Sequence, residues 1–593
     1  MLSLILTAIS LGMYVYKPSI HPFSFTIFLL SALWSLCFWN VAGAITEMLP
    51  KIPSLIIRAL MVIFLPILFT VGIQVYLEFK VFLDDNLIAF VMDDPEYFVN
   101  VFEVFFSKPS VMITYLILSV LMFWYFARNA VYKQQGYFRV IALFLLVAIG
   151  QNQFGKYGDT LFSTIDTRYL FTTKKYLREK NQRITRKYLK PSDIRINPHK
   201  GSVSAYNIVI ILQESMSAEP LSIYGYENDY TPFLQSWFTL EKSQFVVFQD
   251  AMSISGCTNI SVPSLFTGVG PEEPYEKLMQ VPFMWDYTKA NAYSTALISS
   301  QRYTWDNFRY FVKNKNLDLL FTSEDTDLST VNDLGVDDIA MTLKAKQKIE
   351  EMPKDKPVFV IYNTNALHKP FQESSPLIEI PKHIKERYGK AMYIIDKSIE
   401  NIYKAFESRG ELDRTIFIFT ADHGEYSIKR ESRLGSFLKE ALHIPLFIRI
   451  PTQWIDENPE QYHQMLHNRD KRITNLDIMP TLVDFLDAQE ANSAVYEQYK
   501  GTSLFKPIDN HRTLVFLSTN EVRIWSNEGM GIYQDSFSYI IDNIHHAQLY
   551  NLNQDPNQYK NIIQQFPPSY YNRFHAIIRK NKELNRIYEN YGK

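Results

Sequence analysis

The chain has 593 residues, more than one hydrophobic core usually organises, so we expect at least two domains. Its 60 basic and 62 acidic residues give a formal net charge of -2, and without excess positive charge nucleic acid is excluded as an expected partner. The only two cysteines, Cys37 and Cys257, lie far apart and form no CxxC pair, which excludes a disulfide framework and a thiolate zinc site.

Hydrophobic runs dominate the N-terminal quarter of the chain. The first run lacks a basic n-region and a small-residue cleavage site, so we expect a retained helix rather than a signal peptide. A perpendicular helix needs about 20 residues to cross a bilayer, and the first and last runs are shorter than this. We predict a transmembrane domain over residues 1–154 with about five helices, at Leu2 to Tyr16, Phe23 to Ile45, Ser54 to Leu77, Val111 to Ala127 and Tyr137 to Ile149.

The charges between these runs indicate an orientation. Basic residues such as Lys51 and Arg128 follow the second and fourth runs, whereas the loop after the third run is rich in aspartate. Basic loops face the cytoplasm. Five spans and a cytoplasmic N-terminus therefore place everything after about Gly150 outside the cytoplasm.

Residues 155–205 are predicted to link the membrane domain to a soluble domain. Their central part, residues 168–190, is rich in Lys and Arg and contains aromatic residues. Such a segment can form an interfacial helix that rests on anionic head groups, and a solvated helix face is an equally good interpretation.

From Tyr206 onward, short β-branched and aromatic runs alternate with longer amphipathic stretches, which is the pattern of a parallel sheet flanked by helices. The clearest strand candidates are NIVIILQ, STALISS, PVFVIYN, TIFIFTA and IPLFIRI. We therefore predict an extracytoplasmic α/β domain with a mostly parallel central sheet over residues 206–593.

Titratable residues follow three of these strands, at the sheet edge where open α/β folds bind their ligands. Glu214 follows NIVIILQ, the pair Asp422 and His423 follows TIFIFTA, and His368 lies shortly after PVFVIYN. Carboxylate and imidazole ligands suit zinc or manganese, and a tetrahedral catalytic site needs one further position for the chemistry. A hydroxyl nucleophile can occupy that position.

The candidate nucleophile is Thr258, in the segment SISGCTNISVPSLFTG. Gly256 permits a tight turn and Pro263 fits the first turn of a following helix, which puts Thr258 near the helix N-terminus. Free N–H groups and the positive end of the helix dipole stabilise an alkoxide and an incoming phosphate, and metal coordination lowers the hydroxyl pKa. These are the conditions that a threonine needs to attack phosphorus.

Each of these residues also has a simpler interpretation. Glu214 suits a helix-capping acid, Thr258 suits an ordinary N-cap, and an Asp-His pair in a loop is often a solvated or capping feature. Cys257 competes with Thr258 as the nucleophile because thiolates are intrinsically more reactive. For His368 the competing interpretation is a loop histidine with satisfied hydrogen bonds.

The ordered motifs resemble the alkaline phosphatase superfamily and, within it, the membrane phosphoethanolamine transferases and lipoteichoic acid synthases. The segment QESMSAEPLSIYGYENDYTPFL is similar to that family's first metal-ligand motif, CTNISVPSLFTG to its nucleophile motif and TADHGEYS to its later Asp-His motif. NLDIMPTLVDFLD and QLYNLNQDPNQYKNI are similar to the tail of sulfatase-like domains. The resemblance covers most of Asn207 to Ile562.

This resemblance implies a metal site and a covalent intermediate on Thr258. It implies a divalent metal, zinc favoured over manganese, held by Glu214, Thr258, Asp422 and His423. His368, in ALHKPF, matches the histidine that binds the transferred phosphate or helps the leaving group. The residues that match the family's head-group pocket are Trp305 and Asn307.

Other features divide the resemblance between the two groups of enzymes. In its lack of disulfides and in its HKPF segment, the chain is more similar to the lipoteichoic acid synthases. Ser264 stands where the phosphoethanolamine transferases often have a cysteine. SIYGY and SVPSLF are more similar to the phosphoethanolamine enzymes. A further family histidine has no clear counterpart, since His443 directly precedes the IPLFIRI strand.

The expected activity is that of a phosphotransferase that moves a phospholipid head group. Phosphoethanolamine from phosphatidylethanolamine is favoured, with an envelope glycan or a lipid such as lipopolysaccharide as the acceptor. The alternatives are glycerol phosphate from phosphatidylglycerol, hydrolysis by a sulfatase or phosphodiesterase, and a non-catalytic lipid-sensing regulator. A sulfatase is disfavoured because no C/S-x-P-x-R motif surrounds Cys257. We expect a multi-pass protein of the bacterial inner membrane with a periplasmic catalytic domain.

Overall fold

The computed structural model divides into two compact units, Met1–Thr185 and Arg186–Lys593. It describes residues 2–16, 25–79, 109–128, 164, 173, 177, 196–198, 206–304, 308–332, 334–425, 437–509, 511–518, 529–542 and 546–592.

The described part of the first unit contains four long helices: α1 Leu2–Tyr16, α2 Phe25–Met48, α3 Lys51–Phe79 and α4 Pro109–Arg128. Within the described residues, Lys51–Gln74 is the one helical stretch both long and apolar enough to cross a membrane, and Val111–Trp124 is a shorter apolar stretch. A domain of about five spans therefore remains a prediction. The fifth predicted run, Tyr137 to Ile149, lies outside the described residues.

Helix α3 is apolar on its exposed face as well as on its packed face. Leu55, Ile56 and Phe64 are 68%, 54% and 57% exposed, whereas Phe69 and Ile73 are buried in a cluster with side chains of the other helices. Water would oppose such an exposed apolar surface, and lipid would solvate it.

The described strands of the second unit are β1 Asn207–Gln213, β2 Phe245–Val247, β3 Asp250–Met252, β4 Ser294–Ser299, β5 Leu319–Phe321, β6 Val358–Asn363, β7 Thr415–Ala421, β8 Phe447–Arg449, β9 Arg472–Thr474, β10 Leu514–Ser518, β11 Gly529–Gln534, β12 Phe537–Asp542 and β13 His546–Asn551. Its described α-helices are α5 Pro232–Leu240, α6 Thr258–Thr267, α7 Tyr275–Leu278, α8 Met284–Ala290, α9 Phe308–Val312, α10 Asp338–Glu350, α11 Arg387–Arg409, α12 Lys439–Leu442, α13 Thr452–Glu457, α14 Pro459–Asn468, α15 Ile478–Phe485, α16 Ser493–Tyr496, α17 Asn572–Ile578 and α18 Lys582–Tyr591.

A seven-stranded sheet forms the centre of the second unit, in the order β2-β8-β7-β1-β6-β4-β5. Strands β7, β1, β6, β4 and β5 pair in parallel, and β8 runs antiparallel to both of its neighbours. The mostly parallel sheet predicted from the sequence is therefore confirmed. Each predicted run forms a strand of this sheet, although IPLFIRI contributes only Phe447–Arg449 and is the reversed strand.

Two smaller sheets complete the second unit. Strands β3 and β9 form a parallel pair, and β10 to β13 form an antiparallel sheet in sequence order. Helices α17 and α18 pack on the antiparallel sheet, where Phe574 and Leu584 join Ile532 and Tyr539 in one buried cluster. The antiparallel sheet thus has its own apolar core beside the central sheet.

A buried arginine holds the end of α11 against the loop after α10. The side chain of Arg409 is 1% exposed and donates to both carboxylate oxygens of Glu411, at 2.7 and 3.2 Å. It also donates to the carbonyl oxygens of Ile349, Met352 and Pro353, at 2.7, 2.8 and 3.0 Å. Because every donor has an acceptor, the buried charge is compensated.

We expect Arg409→Met to lower the free energy of unfolding by about 3–5 kcal/mol, because it leaves a buried carboxylate and three carbonyl groups with fewer partners. Arg414 provides the matched control, since it donates to the same Glu411 from a side chain that is 38% exposed. Arg414→Met should cost less than about 1 kcal/mol. Denaturant unfolding of the detergent-solubilised chain, followed by near-UV circular dichroism, measures the free energy of unfolding of both variants. Equal losses of stability in the two variants would contradict the stabilising role given to the buried Arg409.

Candidate active site

The candidate site lies at the carboxyl ends of the central strands. Adjacent strands β1 and β7 end in register, because Gln213 pairs with Ala421. The residues that follow are Glu214 and Asp422, and the Asp422 N–H donates to the Gln213 carbonyl at 3.2 Å. Parallel pairing therefore brings two carboxylates side by side at the same edge of the sheet.

Glu214, Asp422 and His423 form a compact, buried group. Each side chain is only 1% exposed. His423 Nε2 lies 3.8 Å from Glu214 Oε1 and 3.4 Å from Asp422 Oδ2. One ligand atom from each residue lies within 4.8 Å of the other two, and among the described residues this is the one such group of three or more. Two carboxylates and an imidazole are a suitable donor set for a divalent cation.

Thr258 contributes a hydroxyl to the same group. It is the half-buried first residue of α6, where the early N–H groups have no intrahelical acceptor. Its Oγ1–H donates to Asp422 Oδ2 at 2.7 Å, and Oγ1 lies 3.2 Å from His423 Nε2. The hydroxyl thus joins a carboxylate, an imidazole and a helix N-terminus.

Serine hydroxyls fix the backbone around the carboxylates. Ser261 Oγ–H donates to the Asp422 carbonyl at 2.7 Å, and Ser253 contacts the same carbonyl. Ser215 adopts a left-handed backbone with φ 52°, a strained conformation for a residue other than glycine. Its N–H donates to Asp422 Oδ1 at 2.9 Å and its hydroxyl to Glu214 Oε1 at 2.7 Å, so this strained residue joins the two carboxylates.

The position of Pro263 differs from the prediction. We expected it in the first turn of the helix, but α6 begins at Thr258, so Pro263 lies in the second turn. The helix starts earlier because the Cys257 carbonyl already accepts the N–H groups of Ile260 and Ser261, at 3.1 and 3.0 Å. This earlier start makes Thr258 itself the first helical residue.

Burial and mutual repulsion perturb the titration of the group. Burial, together with the charge of Asp422, raises the pKa of Glu214 to about 7, against the opposing effect of His368 and His423. Burial alone would lower the pKa of His423, but the charges of Asp422 and Glu214 raise it overall. The group therefore favours positive charge between its carboxylates, either as protons or as a cation.

His368 lies in the loop after β6, and a buried carboxylate shapes that loop. Asp338 Oδ2 accepts from the N–H groups of Asn365 and Ala366, at 2.9 and 2.7 Å. The His368 N–H then donates to the Asn365 carbonyl at 2.8 Å. The half-buried imidazole lies close enough to Glu214 for its positive charge to lower the pKa of that carboxyl. His368 is thus electrostatically linked to the group of Glu214, Asp422 and His423.

The sequence also singled out Trp305, Asn307 and His443. Trp305 and Asn307 lie outside the described residues. His443 Nε2 lies 3.0 Å from the Gln249 carbonyl oxygen, and its ring packs edge-on against Tyr224 with a centroid distance of 6.3 Å. These contacts are those of a histidine that supports the fold.

Cys257 is the N-cap residue of α6, directly before Thr258. Its side chain is 4% exposed, and Sγ lies 3.4 Å from Ser518 Oγ on β10. Thr258, rather than Cys257, has the side chain that hydrogen-bonds Asp422. The geometry favours the hydroxyl over the thiol as the reacting group.

Sequence reasoning missed Gln301 and Ser215. The Gln301 Nε2–H donates to Glu214 Oε2 at 2.9 Å, and Ser215 bridges the carboxylates. Gln301 comes two residues after the end of β4, so the strand-end rule could have found it had amides been considered beside carboxylates and imidazoles. The left-handed backbone of Ser215 has no sequence signal of this kind.

The sulfatase family model matches residues 206–488. This region is therefore similar to sulfatase-family domains. The match spans β1, α6 and the Asp422-His423 pair, so the whole described group lies within it.

Solved structures resemble the chain at low sequence identity. The integral membrane protein lipooligosaccharide phosphoethanolamine transferase A (EptA) of Neisseria meningitidis is 15% identical with a TM-score of 0.54, over 82% of this chain and 93% of EptA. The C-terminal periplasmic domain of EcEptC from Escherichia coli, in complex with Zn, is 16% identical with a TM-score of 0.43, over 56% and 93%. A putative sulfatase from Bacteroides fragilis is 16% identical with a TM-score of 0.46, over 67% and 98%. The match to EptA shows a shared fold.

We expect the zinc affinity of the sulfatase domain to rise with pH between 6 and 8. Zinc needs an ionised Glu214, whose pKa is raised to about 7, and a neutral His423, whose pKa is also raised. Protons therefore compete with zinc, and the dissociation constant should weaken about ten- to hundredfold on going from pH 8 to pH 6. Chelator competition on the detergent-purified chain measures this constant. A zinc affinity independent of pH would contradict zinc binding through Glu214 and His423.

Proposed function

We propose that the chain is a metal-dependent phosphotransferase that moves a phospholipid head group, phosphoethanolamine favoured, through a covalent intermediate on Thr258. The observation that carries the proposal is the position of its hydroxyl, 2.7 Å from Asp422 Oδ2 and 3.2 Å from His423 Nε2 at the start of α6. A threonine in such a setting is an activated nucleophile.

In the first half of the reaction, Thr258 Oγ1 attacks the phosphorus of phosphatidylethanolamine. The bond from Oγ1 to phosphorus forms, and the bond from phosphorus to the diacylglycerol oxygen breaks. The Thr258 proton leaves toward Asp422 Oδ2, which already accepts its hydrogen bond. The first N–H groups of α6 point toward the charge that develops on the phosphoryl oxygens.

In the second half, a hydroxyl of the acceptor attacks the same phosphorus. The bond from phosphorus to Thr258 breaks, and Oγ1 takes its proton back from Asp422. The acceptor hydroxyl passes its proton to the imidazole of His368, which replaces the proton given to the diacylglycerol oxygen. Phosphoethanolamine is then attached to an envelope glycan or a lipid such as lipopolysaccharide, and the enzyme returns to its starting state. Because water is the competing nucleophile, exclusion of water from the buried group favours transfer over hydrolysis.

The proposed metal ligands are Glu214, Asp422, His423 and Thr258. Their carboxylate, imidazole and hydroxyl groups match the donor chemistry of zinc, with manganese as the alternative. Bound zinc would supply Lewis-acid stabilisation of an alkoxide and of phosphoryl oxygens. The raised pKa of Glu214 supports the fit, since a cation would stabilise its ionised form.

His368 is the proposed partner of the transferred phosphate or of the leaving group. Its half-buried imidazole lowers the pKa of Glu214 electrostatically, and Asp338 fixes the loop that carries it, which supports a place near the proposed reacting groups. A protonated imidazole can bind a phosphoryl oxygen or donate a proton to the diacylglycerol oxygen. Trp305 and Asn307 remain the proposed lining of the head-group pocket.

A lipid donor accounts for the apolar N-terminal helices. Helix α3 exposes Leu55, Ile56 and Phe64, and the match to EptA extends beyond residues 206–593 into the N-terminal residues. We therefore propose a multi-pass protein of the bacterial inner membrane, with residues 1–154 in the membrane, 155–205 as a basic linker and 206–593 in the periplasm.

Incubation with phosphatidylethanolamine should add a phosphoethanolamine group to the peptide that contains Thr258, as detected by peptide mass spectrometry. Thr258→Ala removes the proposed nucleophilic oxygen, so diacylglycerol release should fall by at least about a thousandfold. Cys257→Ala provides the matched control at the neighbouring position and should retain both the adduct and the release.

Parallel incubations separate the alternatives. A glycerol phosphate adduct from phosphatidylglycerol would change the cargo and keep the mechanism. Undiminished diacylglycerol release by Thr258→Ala would reject the nucleophile. Turnover of an aryl sulfate that is lost in Cys257→Ala and kept in Thr258→Ala would favour a sulfatase instead.

A further inference from the structure

Gln301 is a fully buried polar residue whose side chain reaches Glu214 from the loop after β4, a strand separated from β1 by β6. Its Nε2 lies 2.7 Å from the Thr364 carbonyl oxygen, 2.9 Å from Glu214 Oε2 and 3.3 Å from Asn363 Oδ1. Since a backbone carbonyl can only accept, the Thr364 contact fixes which end of the amide faces Glu214. Gln301 is therefore a donor to the carboxylate.

The backbone around Gln301 is held on both sides. The Arg302 N–H donates to the Leu334 carbonyl at 2.8 Å, and the Val336 N–H donates to the Ser300 carbonyl at 2.9 Å. The intervening Gly335 packs so closely that a Cβ there would lie 2.2 Å from the Ser300 oxygen. The amide of Gln301 thus approaches Glu214 from a rigid position.

The two oxygens of Glu214 consequently have different surroundings. Oε2 accepts from Gln301. Oε1 is the oxygen that lies 3.8 Å from His423 Nε2, and it accepts from the Ser215 hydroxyl. Each carboxylate oxygen has more than one lone pair, so Oε1 can bind a cation while it keeps this hydrogen bond.

The other end of the Gln301 amide has no partner among the described residues. Its Oε1 is buried and accepts no hydrogen bond there. An unsatisfied buried oxygen costs about 1–3 kcal/mol, a cost that an apolar side chain of the same length would avoid. The Nε2 contacts with the Thr364 carbonyl and with Glu214 offset this cost, and the second of them links the amide to the carboxylate group.

We infer that Gln301 is a positioning residue that holds Glu214 as a one-oxygen ligand, through Oε1, of the divalent cation. The inference rests on the proposed function, because it takes Glu214 to be a ligand. Polar groups that orient metal ligands contribute roughly ten- to hundredfold to metal affinity. Gln301 acts through Glu214 and needs no contact with the lipid.

Gln301→Met keeps the length of the side chain and removes the donor. In the full-length detergent-purified chain, we expect its zinc dissociation constant to weaken about ten- to hundredfold by chelator competition. The melting temperature of the metal-free protein should stay the same or rise, and excess zinc should restore most of the diacylglycerol release. A purely structural effect would lower the melting temperature of the metal-free protein and leave the zinc dissociation constant of the folded fraction unchanged. The two measurements together therefore separate positioning from structure.

Gln213→Met is the matched control, because Gln213 is buried directly before Glu214 and its Nε2 has no partner among the described residues. It should bind zinc as tightly as the wild type. If Gln301→Met lowers the melting temperature, Gln301→Asn repeats the test, since its amide keeps the polarity but is one methylene further from Glu214.

Glu214→Ala separates the two levels of the proposal. Loss of zinc binding in Glu214→Ala, with Gln301→Met weakened, supports the inference. Loss in Glu214→Ala with Gln301→Met and Gln301→Asn both within twofold of the wild type overturns the inference and leaves the proposed function intact. Wild-type affinity in Glu214→Ala overturns the metal site itself, and the inference with it.

Discussion

The candidate active site depends on the parallel pairing of β1 with β7. Their seven residue pairs run in register from Asn207 and Thr415 to Gln213 and Ala421, so the chain leaves both strands at the same height. Glu214 and Asp422 follow immediately, and the left-handed Ser215 adds hydrogen bonds to both carboxylates. A shift of one residue in this register would turn one carboxylate to the other face of the sheet. The loop of His368 follows β6, which neighbours β1, and the loop of Gln301 follows β4, the next strand beyond β6.

The same geometry creates an electrostatic problem in a dry interior. Two carboxylates with 1% exposure repel each other and lose hydration, and the raised pKa of Glu214 is the result. Hydrogen-bond donors offset part of this cost, and His423 adds a positive charge when it is protonated. A cation would offset the rest, so the repulsion between the carboxylates is also the physical basis of the proposed metal site.

The proposed nucleophile reaches this group from a different part of the fold. Thr258 begins α6, which follows the short β3 strand rather than a strand of the central sheet. The Asp422 carbonyl accepts the hydroxyl of Ser261, from the first turn of α6, and this contact fixes the helix against the loop after β7. The position of the hydroxyl therefore depends on the packing of α6 as well as on the local turn.

The sequence by itself determined the strands of the central sheet and the titratable residues at their ends, because buried parallel strands are continuous apolar runs and polar side chains are concentrated where they end. The order of the sequence motifs indicated Thr258 as the candidate nucleophile. Only the tertiary structure decided that β8 is antiparallel to its neighbours and that Gln301 lies against Glu214. It also decided that α6 begins at Thr258, which puts Pro263 in the second turn of the helix. These features depend on pairing partners and on distances between segments far apart in the chain, and one-dimensional periodicity carries no information about either.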